Sequence, residues 1–131
     1  MGTPSGRVVV ACEKDRGMIE YSYTDDGGAT WEGPFTPDTE GNDVYDANQP
    51  DLAVSPSGDI WLIYNAYVKG PGKEGWGLWS QVSSDDGATW SGAERLQDGY
   101  CCQRIAGTPE GLVLAWHQGK GVGAPFDYLL E

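Results

Sequence analysis

Ser83-Ser84-Asp85-Asp86-Gly87-Ala88-Thr89-Trp90 repeats an earlier octapeptide, Thr24-Asp25-Asp26-Gly27-Gly28-Ala29-Thr30-Trp31, with five of its eight positions identical. Both fit Ser/Thr-x-Asp-x-Gly-x-Thr-Trp and each follows an alternating apolar run, so each reads as a tight turn between two antiparallel strands. The residue types suit that turn. Asp26 and Asp85 can fold their carboxylates onto N–H groups of their own turn, Gly28 and Gly87 supply a positive φ, and the hydroxyls of Thr30 and Thr89 add local hydrogen bonds. Trp31 and Trp90 are the first large side chains after the turns, and each is expected to anchor its hairpin by burying roughly 150 to 250 Å².

A second repeat sets the period. Thr3-Pro4-Ser5-Gly6, Ser55-Pro56-Ser57-Gly58 and Thr108-Pro109-Glu110-Gly111 each precede a strongly apolar run, at spacings of 52 and 53 residues. That is close to the ~40 to 50 residues of a four-stranded unit. The chain divides into an incomplete first unit (1–50), a complete second unit (51–103) and an incomplete third (104–131). Calling the strands of a unit A to D, the second has A near Asp51–Val54, B at Ile60–Tyr64, C near Gly77–Val82 and D near Ala93–Leu96. The first lacks A. The third holds A at Arg104–Ala106, B, and C at Phe126–Leu130, giving ten strands at most.

Composition agrees with an all-β chain: 20 glycines, eight prolines and six tryptophans in 131 residues, with no sustained 3.6-residue apolar period. The formal charge of −12 would repel a phosphate backbone, so nucleic acid is not an expected partner. No apolar run approaches the ~20 residues of a membrane span, and Met1–Gly6 shows no export signal. As given, the chain reads as soluble and compatible with the cytoplasm, with its location otherwise unknown. Cys12, Cys101 and Cys102 lack metal-ligand spacing and read as small buried thiols.

The paired octapeptides resemble the Asp-box, or BNR, repeat of the sialidase-type β-propellers. The resemblance covers nearly the whole chain as a blade pattern, with the two boxes as its specific part. It implies an all-β fold of antiparallel four-stranded propeller blades with Asp-box turns. It also implies a structural role for Asp26, Gly28, Thr30, Trp31, Asp85, Gly87, Thr89 and Trp90, since the box recurs in sialidases, other glycosidases, sorting receptors and assembly factors. Sialidases typically hold the substrate carboxylate with three arginines from separate blades, the first in a Phe-Arg-Ile-Pro motif. That motif does not occur here, and of four arginines Arg7 belongs with the boxes and Arg95 with an outer strand, leaving Arg16 and Arg104.

In an up-and-down meander, the A–B turns and the boxes share one end of the sheets. The other end gathers the longer connections, Pro37–Pro50, Gln97–Gln103, Glu13–Gly17, Asn65–Gly75 and His117–Pro125, and is the expected functional face. Arg104, Trp76, Asp46, Gln49 and His117 are its candidate ligand-binding residues, with Trp76 as an exposed platform for a sugar and Trp79 in the core. Paired carboxylates for glycoside hydrolysis cannot be singled out, because Asp15, Asp43, Asp46, Glu74 and Asp98 all qualify, with Tyr45 and Tyr100 nearby. The oxygen-rich run Asp38–Asp51 fits no defined calcium loop, and a single histidine, His117, makes no zinc site. No cofactor or metal is expected. The function read from these residues is a non-catalytic module that binds a glycan or another protein, with a partial or divergent glycosidase of the exo-alpha-sialidase type as the alternative. Two and a half blades leave apolar faces open, so a homo-oligomer, dimer or trimer, is expected.

Overall fold

The structure, a computed structural model, describes residues 1–14, 17–37, 44–68, 75–98, 101–117 and 126–130, and of residues 44, 45, 68, 101, 117 and 126–130 the backbone alone. Among them the alternating apolar runs form ten strands: β1 (Val8–Lys14), β2 (Met18–Thr24), β3 (Glu32–Phe35), β4 (Val44–Val54), β5 (Ile60–Val68), β6 (Gly75–Ser83), β7 (Glu94–Asp98), β8 (Cys101–Thr108), β9 (Gly111–His117) and β10 (Phe126–Leu130). Each pairs antiparallel with its neighbour in the chain, giving a first sheet β1-β2-β3, a second β4-β5-β6-β7 and a third β8-β9-β10. The three sheets are not closed on one another. The strand count is the expected one, but β4 begins at Val44, not near Asp51, because two register shifts let the ladder with β5 continue past Pro50. The first unit also keeps a stub of its first strand. Met1 and Val9 exchange two backbone hydrogen bonds of 2.8 Å, and Gly2 bridges Val8.

Alternation along β5 decides the packing. Leu62, Tyr64 and Ala66 face the first sheet and are buried there with Trp79, Ala47 and Ile19. Ile63 faces the third sheet and is buried with Ala53, Leu78, Ile105, Leu112, Leu114 and Trp116. Near the turns, Val9, Tyr21 and Ile60 extend the first interface. The middle sheet is therefore covered on both faces and each flanking sheet on one. Leu114, 2% exposed, fills the second interface, and Leu114→Ala is expected to lower the unfolding free energy by about 2 to 5 kcal/mol in a urea titration.

The two octapeptides fold into matching turns. In the first, the N–H of Thr30 donates to Asp26 Oδ1 (2.8 Å), its hydroxyl to Oδ2 (2.6 Å), and Thr24 Oγ1 donates to Oδ1 (2.8 Å) while accepting from the Gly28 N–H (3.0 Å). In the second, the N–H of Thr89 and the hydroxyl of Ser83 reach Asp85 Oδ1 at 2.8 Å, and Ser83 Oγ accepts from the Gly87 N–H at 2.8 Å. Gly28 and Gly87 take φ of 95° and 86°, as the turn requires.

The A–B turn of the first sheet is tied to the second aspartate turn. Ser5 Oγ donates to Asp86 Oδ2, and Arg7 donates from Nη1 to the Asp86 carbonyl (2.9 Å). The same guanidinium pairs through Nε and Nη2 with the Asp25 carboxylate and lies 3.8 Å over the Tyr23 ring. All these turns thus share one end.

The two tryptophans differ. Trp90 is half-buried and meets Tyr21 of the first sheet edge-on at 5.3 Å, whereas Trp31 is 48% exposed. Trp31 does not anchor its hairpin by burial as expected, because the first sheet ends the stack and no preceding sheet covers it.

The Thr30 hydroxyl and N–H, with the Thr24 hydroxyl, hold the Asp26 carboxyl down to about 2, against an ordinary value of 3.8. A carboxyl lowered on folding stabilises above its unfolded value and loses that contribution as pH falls through the folded one. The first turn should therefore weaken between about pH 4 and pH 2. Asp26→Asn should lower the melting temperature at neutral pH and show a smaller further drop than wild type across that window, followed by circular dichroism.

Candidate functional site

At the opposite end, β4 carries the structure's least ordinary backbone. Its register against β5 shifts between Tyr45 and Asn48 and again between Asn48 and Asp51, and Asp46 and Gln49 take φ of 49° and 52°. On the neighbouring first strand of the third sheet, Cys102 takes φ of 67° beside a shift between Cys101 and Arg104. Left-handed φ is uncommon outside glycine, and such strain persists only where the surroundings impose it.

Those surroundings are visible. Gln49 Oε1 accepts from the Cys102 N–H (2.8 Å), and the Gln49 carbonyl accepts from Nε2 of Gln103, a side chain only 1% exposed. Asp51 Oδ2 accepts from the Ile105 N–H (2.9 Å), and Asn48 Nδ2 donates to the Asp46 carbonyl (3.0 Å). Gly17, at φ 68°, presses on the bulge so closely that a Cβ there would stand 2.5 Å from Asp46 Cα. Asp46, Gln49 and Cys102 are nonetheless exposed. Next to Asp46, at Gly17 and Ala47, a cavity of about 160 Å³ between the first two sheets is lined by Ile19, Thr36, Pro37, Tyr64 and Gln81, among others. The Tyr64 hydroxyl donates to Gln81 Oε1 (3.0 Å), and burial pushes its pKa up, so it stays neutral.

The structure brings Asp46 and Gln49 to one strand but leaves other candidates apart from them. Ile105 faces the middle sheet, so its strand neighbour Arg104 faces away from it, and away from Gln49. Trp76 is half-buried, not an open platform, because its ring meets Tyr67 edge-on at 5.8 Å from the paired strand. Trp79 is in the core, 1% exposed. His117 ends β9 opposite Cys101 in the ladder, and its side chain lies outside the described residues. Asp15, Arg16, Asp43, Glu74 and Tyr100, and the side chain of Tyr45, also lie outside them. Asp98 pairs with Arg95 at 2.9 Å.

Asn48, Cys102, Gln103 and Gly17 were not among the candidate ligand-binding residues read from the sequence. Asparagine and aspartate around a bulge were the available signal, since both tolerate left-handed φ. Two of the cysteines are not buried thiols: Cys12 is free and exposed on the outer face of β1, and Cys102 is exposed and disulfide-bonded, while the side chain of Cys101 lies outside the described residues. Among the described residues no group of three or more His, Cys, Asp or Glu stands together to hold a metal, and no helix is long and apolar enough to cross a membrane.

No protein-family model and no curated protein matches the chain. Solved structures do. Hadza microbial sialidase Hz136 superposes with a TM-score of 0.64 at 22% identity, over 87% of this chain and 30% of that one. A protein of unknown function from Dyadobacter fermentans DSM 18053 gives 0.61 at 19%, over 88% and 32%. A point mutant of NanB sialidase from Streptococcus pneumoniae gives 0.65 at 16%, over 99% and 20%. At these identities the likeness is one of fold, an all-β arrangement of sialidase-like sheets, and the chain spans a third or less of each of the three.

Asp46 has no hydrogen-bond or ion-pair partner for its carboxylate among the described residues. Asp46→Gly removes left-handed strain without removing a side-chain hydrogen bond or ion pair, and should raise the unfolding free energy by on the order of 1 kcal/mol in chemical denaturation.

Proposed function

We propose that the chain is a non-catalytic binding module of the sialidase-like β-propeller type, which holds a glycan at the end of its sheets opposite the aspartate turns. The observation that carries this reading is the placing of three strained, exposed, non-glycine residues, Asp46, Gln49 and Cys102, on two neighbouring strands at that end. Strain of this kind is retained where it presents groups in a fixed geometry. Asp46 offers acceptors to sugar hydroxyls, Gln49 Nε2 offers a donor, and the cavity that adjoins Asp46 at Gly17 and Ala47 has room for a small apolar substituent against the neutral Tyr64.

Against catalysis stand the arginines. Arg7 and Arg95 are engaged with Asp25 and Asp98, and Arg104 faces away from Gln49, so the described residues supply no arginine set for a substrate carboxylate. A partial or divergent glycosidase, exo-alpha-sialidase-like, is the second reading, favoured by the sialidases among the fold's neighbours.

A glycan array with sialylated and neutral members, run beside a fluorogenic sialoside assay, separates the two. Saturable glycan binding, weakened about tenfold or more by Asp46→Ala or Gln49→Ala in folded protein, with no turnover, is the expected result. Turnover abolished by Asp46→Asn would establish the glycosidase instead. A folded protein that binds no glycan on the array contradicts the proposal and points to a protein ligand.

A further inference from the structure

Cys102 belongs to the frame that holds Gln49. Its N–H is fixed on Gln49 Oε1 at 2.8 Å, and the next residue, Gln103, donates from Nε2 to the Gln49 carbonyl. Cys102 is also exposed and disulfide-bonded. The chain has three cysteines, and Cys12 is a free thiol on the outer face of β1. Within one chain that leaves Cys101, the adjacent residue, as the other half of the bridge.

A bridge between neighbours makes a demand on the backbone. Consecutive side chains of an extended strand point to opposite faces, whereas a disulfide needs its two Cβ atoms within about 3.5 to 4.5 Å of each other. The strand must therefore turn at the pair, and here it does. Cys102 takes a φ of 67°, in the left-handed region that a non-glycine residue seldom adopts. The ladder to β9 is irregular at the same place. Between the pairs Cys101↔His117 and Arg104↔Ala115, β8 carries one residue more than β9, as in a β-bulge. Cysteine has no glycine-like freedom to make such a turn, and the bridge supplies the constraint that imposes it.

We infer that Cys101 and Cys102 form a disulfide between adjacent residues, and that this bond is a redox-sensitive latch on the Gln49 end of the sheets. Oxidised, it holds Cys102 in the left-handed turn that presents its N–H to Gln49 Oε1. Reduction by a dithiol releases the turn: two electrons and two protons pass to the pair, the S–S bond breaks to two thiols, and the dithiol closes its own disulfide. The exposure of Cys102 lets a thiolate reach the bond. Freed of the bridge, residues 101–103 regain ordinary strand geometry, and Gln49 loses the donor that orients its side chain. Cys102 is thus a positioning residue. The latch concerns the frame at this end and not what binds there, so its failure leaves the glycan reading standing.

Alkylation of the full chain without reductant, followed by tryptic digestion and mass spectrometry, tests the bond. The expected result is a Leu96–Arg104 peptide with both cysteines unalkylated and two hydrogens lighter than its reduced form, while Cys12 is alkylated. The same peptide alkylated without reductant, or joined to any other peptide, would overturn the assignment. Amide spectra with and without dithiothreitol test the latch. Reduction is expected to shift the amides of Gln49, Cys102 and Gln103 and to speed hydrogen exchange at the Cys102 amide by about tenfold or more, with Thr30 and Thr89 unmoved. Cys102→Ser should give the reduced positions of Gln49 and Gln103 from the start and should not respond to dithiothreitol. A bond whose reduction leaves these amides in place, or a response to dithiothreitol that persists in Cys102→Ser, would overturn the latch.

Discussion

A sheet that carries large side chains on both faces needs a neighbour on each side, and β5 imposes that condition on the whole chain. Leu62 and Tyr64 alternate with Ile63 across its two faces, so neither face can be left to water. Burying one such side chain is worth roughly 1.5 to 3 kcal/mol. The first and third sheets follow from this need: they supply Ile19 and Val9 on one side and Leu112 and Leu114 on the other. The same logic explains their outward faces. Val10 and Met18 on one, and Ala106 and Ala115 on the other, lie on the sides that the middle sheet does not reach.

The two ends of the sheets divide the remaining work by how each satisfies its polar groups. At the turn end, the carboxylates of both octapeptides are engaged. Asp26 and Asp85 are spent on their own threonines and Asp25 on Arg7, while Ser5 and Arg7 tie the first sheet to the second by donating to Asp86. At the other end Gln103 and Gly17 press on a backbone in left-handed φ, and the Asp46 carboxylate and Gln49 Nε2 are left exposed while Gln49 Oε1 accepts from the Cys102 N–H. An end whose acceptors are filled has little left to offer a ligand. An end that holds unfilled groups in a rigid frame is where recognition can occur.

Much of the fold was legible because its signals are local. The octapeptides, the Pro-Gly turns and the alternating runs name ten strands and their order without reference to tertiary contacts. What stayed hidden depends on contacts between sheets. The extension of β4 back to Val44 rests on bulges that no apolar pattern marks. Trp31 and Trp90 follow identical motifs, yet one is exposed and the other packed, because only one has a sheet to lean on. At the site, Asp46 and Gln49 could be chosen from their loop position, but the turning of Arg104 away from them is set by which face of β8 the core takes. The Gln103 contact with the Gln49 backbone joins residues far apart in sequence, and no local rule predicts it.

The claim on which the functional account rests is that the end with strained backbone recognises the ligand and the end with aspartate turns only holds the sheets. Amide chemical-shift mapping during titration with a sialylated oligosaccharide addresses this directly. The account predicts perturbations clustered at Asp46–Gln49, Cys102–Gln103 and Gly17, with Asp26–Thr30 and Asp85–Thr89 unmoved. Perturbations centred on the two aspartate turns, with the β4 bulge silent, would contradict it.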